Sequence, residues 1–371
     1  MKVIKNVNLS GKVVEVEFSE GNIIQFEDYW LRDNCRCSMC YHADTFQRAQ
    51  HILDIPDSLV NEIHYNASQL LVTWDDKHES SYDADFLAEF DYTTWQEDRR
   101  FKPVLWKGDE VSDKIARVHV DKFLHSNEGA LSAFQSLLDY GVVLIEGVGV
   151  SEEATEEVCR GLGGIQHTLF GGLWKFTNRA DHADTAYTNI PLAVHNDNTY
   201  FTEAAGLQIL HCLEHSNGSG GETTLVDGFY GATRLRERFP EDYDFLTTFN
   251  LEAEYLEERH HHRWSAPVIQ VDSKSKDIKQ IRFNVYDRSP MAFSSNEECK
   301  KFYRSFKNLA TFYEDPVNQW QFKLTPGLVM AVDNFRVLHG RTGFSGTRVV
   351  CGCYVARSDW LDRARTLRLI K

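Results

Sequence analysis

The amino-acid sequence predicts a mainly β protein with flanking helices. Short apolar segments such as 207–213 and 348–356 recur along most of the chain, and clusters of turn residues separate them. Helical periodicity is confined to a few segments, of which 297–314 is the longest. The 371 residues suffice for two domains, or for one large domain with an appendage. Many short strands with a few flanking helices are typical of a β sandwich or barrel.

Residues 1–100 are predicted to form a small β-rich domain, and residues 101–371 a larger second domain. The pattern turns polar and loose around 101–113, so we place the domain junction there. Alternating apolar residues in the first domain predict strands, the first two of them joined as a hairpin, at 12–18, 22–26 and 69–74.

The second domain is predicted to begin with two helices around a buried strand. An apolar stripe at helical spacing ends at Gly141, which is typical of a helix and its C-terminal cap. Ser151, followed by acidic residues, indicates the start of the second helix. The consecutive histidines 260–262 lie in a charged segment that we interpret as a solvent-facing loop. We expect strands at 142–148, 207–213, 222–229, 266–271, 280–285, 327–334 and 348–356, and further helices at 231–239 and 297–314.

Composition excludes some classes of function. The net charge is −15 and no concentrated basic stretch is present in the sequence, which argues against a nucleic-acid partner. The chain has no run of about 18 apolar residues, so no membrane span is expected. Residues 1–18 read directly into a strand pattern without an apolar signal core, which predicts a cytoplasmic protein.

Three of the eight cysteines are close together in the first domain. Cys35, Cys37 and Cys40 offer soft thiolates that suit a structural zinc ion, which requires one further ligand from elsewhere in the chain. Three reduced thiols in a loop are the alternative, because this spacing is less diagnostic than paired Cys-x-x-Cys motifs. The other five cysteines lie in apolar segments or singly and are typical of reduced thiols.

A second candidate metal site involves His195 and Asp197. On an extended segment residues i and i+2 face the same side, so an imidazole and a carboxylate would converge. His339 offers a second imidazole 142 residues after Asp197, and two histidines with one carboxylate form the facial triad of non-haem Fe(II) oxygenases. A His-x-Asp pair alone also occurs by chance in many chains. Arg348, nine residues after His339, strengthens the oxygenase hypothesis because a planar guanidinium suits the distal carboxylate of a 2-oxo-dicarboxylate.

These motifs resemble a known family. HND at 195–197, GGETTLVDGF at 220–229 and DNFRVLHGR at 333–341, with Arg348, are similar to the catalytic core of Fe(II)/2-oxoglutarate dioxygenases of the taurine dioxygenase superfamily. WLRDNCRCSMC at 30–40 resembles, within that superfamily, the γ-butyrobetaine and trimethyllysine dioxygenase family of carnitine biosynthesis. The likeness extends over nearly the whole chain.

The resemblance implies a double-stranded β-helix (jelly-roll) catalytic domain and a homodimer. It implies Fe(II) on His195, Asp197 and His339, with 2-oxoglutarate, O2 and ascorbate as further requirements. Thr223 would contact 2-oxoglutarate, and His78 would complete the zinc site. Some relatives are associated with mitochondria, which makes the mitochondrial matrix the alternative compartment.

The resemblance also implies an aromatic cage for a trimethylammonium group, which has no N–H to donate and is held by ring faces. Its positions fall on Phe170, where the family has tyrosine, and on Trp174, Tyr187 and Tyr354. Asp184 could pair with the α-ammonium of trimethyllysine, so we expect hydroxylation of trimethyllysine at C3. The alternatives are hydroxylation of γ-butyrobetaine and, more remotely, non-catalytic binding of methylated lysine.

Overall fold

The computed structural model describes residues 1–57, 59–176 and 188–371. The chain divides into two compact units, Met1–Phe101 and Lys102–Lys371. Each unit has a hydrophobic core of its own. Among the described residues, every helix is too short or too polar to cross a lipid bilayer.

The first unit is built on two antiparallel sheets of three strands, β1-β2-β3 and β6-β7-β8. Buried and exposed residues alternate along these strands, as expected for a sheet with one buried face. The predicted hairpin and the predicted strand at 69–74 are confirmed. The strands are β1 Ile4–Ser10, β2 Val13–Phe18, β3 Ile23–Glu27, β4 Tyr41–His42, β5 Gln47–Arg48, β6 Val60–Tyr65, β7 Gln69–Trp74 and β8 Glu79–Asp83; the helices are α1 Asp28–Asp33, α2 Ala84–Ala88 and α3 Tyr92–Arg99.

The inward side chains of these sheets pack around Trp74 and Tyr82, both about 1% exposed. The hydroxyl group of Tyr82 donates a hydrogen bond to the carbonyl oxygen of Leu31. This contact ties β8 to the end of α1, immediately before the cysteine-rich segment that begins at Cys35.

The second unit combines two larger sheets, two antiparallel sheets of two strands each, and flanking helices. Its strands are β9 Arg117–His119, β10 Val142–Glu146, β11 Leu173–Phe176, β12 Leu192–His195, β13 Leu207–Ser216, β14 Thr223–Asp227, β15 Asn250–Glu257, β16 His260–Pro267, β17 Ile269–Val271, β18 Ile278–Ile281, β19 Trp320–Phe322, β20 Val329–Asp333, β21 Val337–Arg341 and β22 Thr347–Val355. Its helices are α4 Val120–His125, α5 Asn127–Tyr140, α6 Glu152–Leu162, α7 Gly228–Arg238, α8 Pro240–Thr248, α9 Asn296–Glu314 and α10 Arg357–Thr366.

The two sheets have the orders β11-β22-β13-β20-β10-β9 and β12-β21-β14-β19. All their pairs are antiparallel except β9 with β10. Residues of both sheets, among them Met330 and Leu225, share one hydrophobic core. Helix α5 packs against β10 and α6 against β22, which buries the larger sheet on its outer face and explains its continuous apolar strands. This is the expected jelly-roll of a mainly β protein with flanking helices.

Helix termini follow the local sequence signals. The side chains of Ser126, Ser151 and Ser295 accept hydrogen bonds from the first turns of α5, α6 and α9. Gly141 ends α5 with a φ of +74°, a conformation that favours glycine. The predicted helices at these places are therefore confirmed.

The interpretation of the histidine run as a loop is wrong. Residues 250–257 and 260–267 form the antiparallel hairpin β15–β16. His260 and His262 stack on one side with ring centroids 6.1 Å apart, whereas His261 Nε2 lies 2.8 Å from a carboxylate oxygen of Glu254. Polar residues occupy both faces of β16, so its two-residue period could not be read from hydrophobicity. In β15 the period is present, with Leu251, Ala253 and Tyr255 buried on one face.

Candidate active site

The three predicted iron-binding side chains meet between the two sheets. His195 ends β12 and His339 lies opposite it on β21. Oδ1 of Asp197 is 3.3 Å from Nε2 of His195 and 3.5 Å from Nε2 of His339. Neighbouring ligands at right angles on an ion with bonds of about 2.1 Å lie about 3.0 Å apart, so these atoms need move little to hold one metal. Their types, two imidazoles and one carboxylate, suit Fe(II).

Asp197 reaches this position from a bend rather than from a strand. β12 ends at His195, and Asn198 has a φ of +58°, so the expectation of one extended segment is wrong for Asp197. Asn334 fixes the bend: its Oδ1 accepts from the Asp197 backbone N–H at 2.9 Å, and its Nδ2 donates to the Asp197 carbonyl at 3.0 Å. The backbone of Asp197 is therefore held from two sides.

The metal-facing side chains also have fixed orientations. Nδ1 of His195 lies 2.8 Å from the carbonyl oxygen of Ala193, which assigns the proton to Nδ1 and leaves the Nε2 lone pair for a metal. Oδ2 of Asp197 accepts hydrogen bonds from Nε2 of Gln208 and, at 2.8 Å, from the hydroxyl group of Tyr354. Only Oδ1 of this carboxylate faces the two imidazoles.

Electrostatics keep the carboxylate ionised. Burial by itself would raise the pKa of Asp197, but the imidazoles of His339 and His195 outweigh burial and hold that pKa well below its usual range. Burial lowers the pKa of His339, which favours its neutral, metal-binding form. The three side chains thus offer a metal one anionic carboxylate and at least one neutral imidazole at neutral pH.

Arg348 supplies a buried positive charge to the same cavity. Its side chain is 8% exposed, and burial lowers its pKa. Among the described residues no carboxylate pairs with it; Phe344 lies under the guanidinium at 5.7 Å. Gly221, with a φ of +74°, lies beside it; a Cβ there would be only 3.0 Å from Cε1 of His215 and 3.2 Å from Cβ of Phe344. A buried guanidinium without a counter-charge favours an anionic ligand.

One cavity of about 900 Å³, including its open mouth, connects these groups. The triad and Arg348 line it together with Thr223, Phe170, Trp174 and Tyr354. Trp174 and Tyr354 have ring centroids 5.5 Å apart. The remaining predicted substrate contacts, Asp184 and Tyr187, lie outside the described residues.

Sequence reasoning missed several residues that line this cavity, among them Gln208, Asn284, Tyr286 and Arg341. Arg341 could have been found, because it follows His339 by two positions on the strand β21 and so shares its face. Gln208 is a polar residue between the apolar residues Leu207 and Ile209 of a buried strand segment, which is itself a signal. Asn284 and Tyr286 follow β18, which ends at Ile281, so the predicted strand at 280–285 is wrong beyond that residue.

The cysteine cluster forms in the first unit with the histidine that the resemblance implied. Nε2 of His78 lies 3.3 Å from Sγ of Cys35, 3.8 Å from Sγ of Cys37 and 3.7 Å from Sγ of Cys40. A tetrahedral zinc ion with ordinary bond lengths separates a sulfur and a nitrogen ligand by about 3.6 Å. The four side chains therefore fit zinc in a closed site with no position for a substrate.

Arg32 adds a positive charge beside the thiolates. Its Nη1 donates to Sγ of Cys40 at 3.4 Å, and its Nη2 lies 3.4 Å from a carboxylate oxygen of Asp76. The Arg32 side chain is 4% exposed, so this charge acts in a poorly solvated environment. It would offset part of the negative charge of three thiolates around a zinc ion.

Comparison with known families gives two matches along the chain. Residues 108–354 match the taurine catabolism dioxygenase TauD, TfdA family. Residues 6–88 match the N-terminal region described as gamma-butyrobetaine hydroxylase-like. Together these matches span most of both units.

Individual proteins give the same result. The chain is 36% identical to the mitochondrial trimethyllysine dioxygenase of Rattus norvegicus over 96% of its own length and 86% of the relative's. It is 28% identical to the gamma-butyrobetaine dioxygenase of a Pseudomonas species over 96% and 94% of the two lengths. Among solved structures, a taurine dioxygenase from Burkholderia xenovorans has the same fold, with a TM-score of 0.51 at 13% identity over 70% of this chain and 91% of that one.

Proposed function

Because the chain belongs to the TauD, TfdA family of dioxygenases and resembles trimethyllysine dioxygenases over most of its length, we propose that it hydroxylates Nε-trimethyllysine at C3. The reaction consumes O2 and 2-oxoglutarate; one oxygen atom enters the new C–OH bond and the other enters succinate, with release of CO2. The product would be 3-hydroxy-Nε-trimethyllysine, the first intermediate of carnitine biosynthesis.

One observation carries the proposal: a single cavity contains the triad, a buried guanidinium and aromatic faces. In the proposed roles, His195, Asp197 and His339 hold Fe(II), and Arg348 receives the distal carboxylate of 2-oxoglutarate. When bound, the iron with its co-substrate supplies the oxidising power for attack on an unactivated C–H bond. Thr223 is 2% exposed and lies on β14, the strand next to that of His339. It is proposed as a further contact of 2-oxoglutarate.

The aromatic side chains would select the substrate. A quaternary ammonium group offers no hydrogen bond, so attraction to the ring faces of Trp174, Tyr354 and Phe170 is the available means of recognition. Because these rings and the triad line one cavity, the distance between them determines which carbon faces the metal. The protein therefore chooses the position of hydroxylation through where it holds the cationic head.

Hydroxylation of γ-butyrobetaine is the second candidate, and it uses the same residues. The observation that favours trimethyllysine is the higher identity to the rat relative, 36% against 28% for the Pseudomonas one. We further propose that Asp184 pairs with the α-ammonium group, which γ-butyrobetaine lacks. Asp184→Asn should then raise KM for trimethyllysine and leave turnover of γ-butyrobetaine unchanged.

A competition assay tests the proposal. Purified protein receives Fe(II), ascorbate, 2-oxoglutarate, O2 and both trimethylammonium compounds, and NMR follows succinate and each hydroxylated product. Hydroxytrimethyllysine as the main product supports the proposal, and carnitine as the main product replaces it with the second candidate. Absence of succinate in all conditions would instead favour a non-catalytic binder of methylated lysine, for which Arg348 and the triad have no evident use.

The remaining features of the chain are given roles on the same basis. We propose that residues 1–100 act as a zinc-stabilised domain and residues 101–371 as the dioxygenase domain. A homodimer stays a prediction, and so does the compartment, cytoplasmic or mitochondrial. Size-exclusion chromatography with light scattering and localisation of the tagged full chain are the respective measurements.

A further inference from the structure

Gln208 is a buried amide that contacts the proposed iron-binding carboxylate. It is 3% exposed and lies on β13 directly opposite Tyr354 on β22. Both side chains reach the same atom, Oδ2 of Asp197, which belongs to the bend after β12 of the other sheet. Two neighbouring residues of one sheet thus hold a single oxygen atom from the opposite side of the cavity.

The surroundings of Gln208 indicate that this contact is its main interaction. Its Nε2 donates to Asp197, whereas its Oε1 is buried and has no hydrogen-bond partner among the described residues. A buried unsatisfied amide oxygen costs free energy, and an apolar residue would fill the same space without that cost. The N–H group is the part of the side chain that the site uses.

Two hydrogen bonds on Oδ2 leave Oδ1 to face the imidazoles of His195 and His339. A carboxylate can bind a metal through one oxygen or through both. If Fe(II) bound six ligand atoms, the triad would supply three of them and 2-oxoglutarate two, which would leave one position for O2. A carboxylate bound through both oxygens would take the position that O2 requires.

We propose that Gln208 is a positioning residue that, with Tyr354, reserves Oδ2 of Asp197 and thereby keeps one metal position open for O2. The inference rests on the proposed function and concerns how the site is kept reactive. Loss of this contact should therefore impair access of O2 to the metal, while the metal and 2-oxoglutarate still bind.

The test uses the full chain under anaerobic conditions, loaded with Fe(II), 2-oxoglutarate and trimethyllysine. Gln208→Met removes the N–H group at similar length. Gln280→Met is the matched control, because Gln280 is also a buried glutamine but lies on β18 and is not among the residues that line the cavity. The absorption of the iron complex with 2-oxoglutarate reports binding of both. Nitric oxide, followed by electron paramagnetic resonance, stands in for O2.

For Gln208→Met we expect affinities for Fe(II) and 2-oxoglutarate within about threefold of wild type and an affinity for nitric oxide lower by about tenfold or more. Gln280→Met should resemble wild type in all three measurements. Unchanged nitric oxide affinity would overturn the proposal, and so would an equal fall in Fe(II) affinity, which would make Gln208 a simple support of the ligand.

Tyr354→Phe keeps the test decisive if Gln208→Met does not fold, because it removes only a hydroxyl group from the same carboxylate oxygen. It should lower nitric oxide affinity in the same direction while Fe(II) and 2-oxoglutarate still bind. Failure of the wild-type protein to bind Fe(II) with 2-oxoglutarate would contradict the proposed function itself. A wild type that binds both, with variants that bind nitric oxide equally well, would contradict only the role of Gln208.

Discussion

The hydroxyl group of Tyr354 donates a 2.8 Å hydrogen bond to Oδ2 of Asp197, and the ring centroid of the same residue lies 5.5 Å from the ring centroid of Trp174. One side chain therefore belongs both to the aromatic wall proposed for the cationic head and to the support of the proposed iron ligand. A substitution can remove the hydroxyl group of Tyr354 and keep its ring.

Tyr354→Phe should separate the contribution of the ring from the contribution of the hydroxyl group. The ring face remains, so KM for trimethyllysine should stay within about twofold, because cation–π attraction does not need the hydroxyl group. The lost hydrogen bond to an ionised group should lower kcat about tenfold. Steady-state kinetics and the ratio of succinate to hydroxylated product are the measurements, and a change confined to KM would contradict the dual role.

Trp174→Ala should raise KM for trimethyllysine by up to about 30-fold, which corresponds to about 2 kcal/mol of cation–π attraction. It should also increase succinate formation without hydroxylation, because the head is no longer held in place. Trp174→Phe keeps a ring face and is the matched control, with a smaller effect expected. The same KM rise for a neutral analogue with a tert-butyl head would show that Trp174 fills space rather than recognises charge.

Much of this site could be predicted because its chemistry depends on residue type and spacing. His195, Asp197, His339 and Arg348 are of types that an oxygenase needs, and the structure brings them to one cavity. The cluster of Cys35, Cys37, Cys40 and His78 required the family resemblance for its fourth member, because His78 comes from a distant hairpin turn.

The parts that could not be predicted depend on pairing between distant segments. The sequence around Gln208 does not indicate that β13 pairs with β22. The hydrogen bonds between Asn334 and Asp197 likewise join residues that are 137 positions apart. The strand β16 was missed because polar residues on both of its faces conceal the strand period. Fold class follows from composition and pattern, whereas register follows from packing.

Arg348→Lys should raise KM for 2-oxoglutarate about 50-fold, because an ammonium group replaces a planar two-donor contact with the distal carboxylate. With 2-oxobutanoate, which lacks that carboxylate, any residual activity should be the same in wild type and variant. Comparison of the two co-substrates by succinate or CO2 release checks this. Equal losses with both compounds would place the defect in the fold rather than in carboxylate recognition.

Cys37→Ser should remove zinc from the protein and lower the temperature at which the first unit unfolds by about 10 °C or more, since metal binding contributes directly to folding in small closed sites. Cys299→Ser is the matched control, because Cys299 is also partly exposed but lies on α9 outside the cluster. Metal analysis and calorimetry measure the two effects, and a chelator should reproduce them in the wild type. Full zinc content in Cys37→Ser with unchanged unfolding would leave the cluster as reduced thiols, whereas zinc loss with retained iron binding would establish its role as structural.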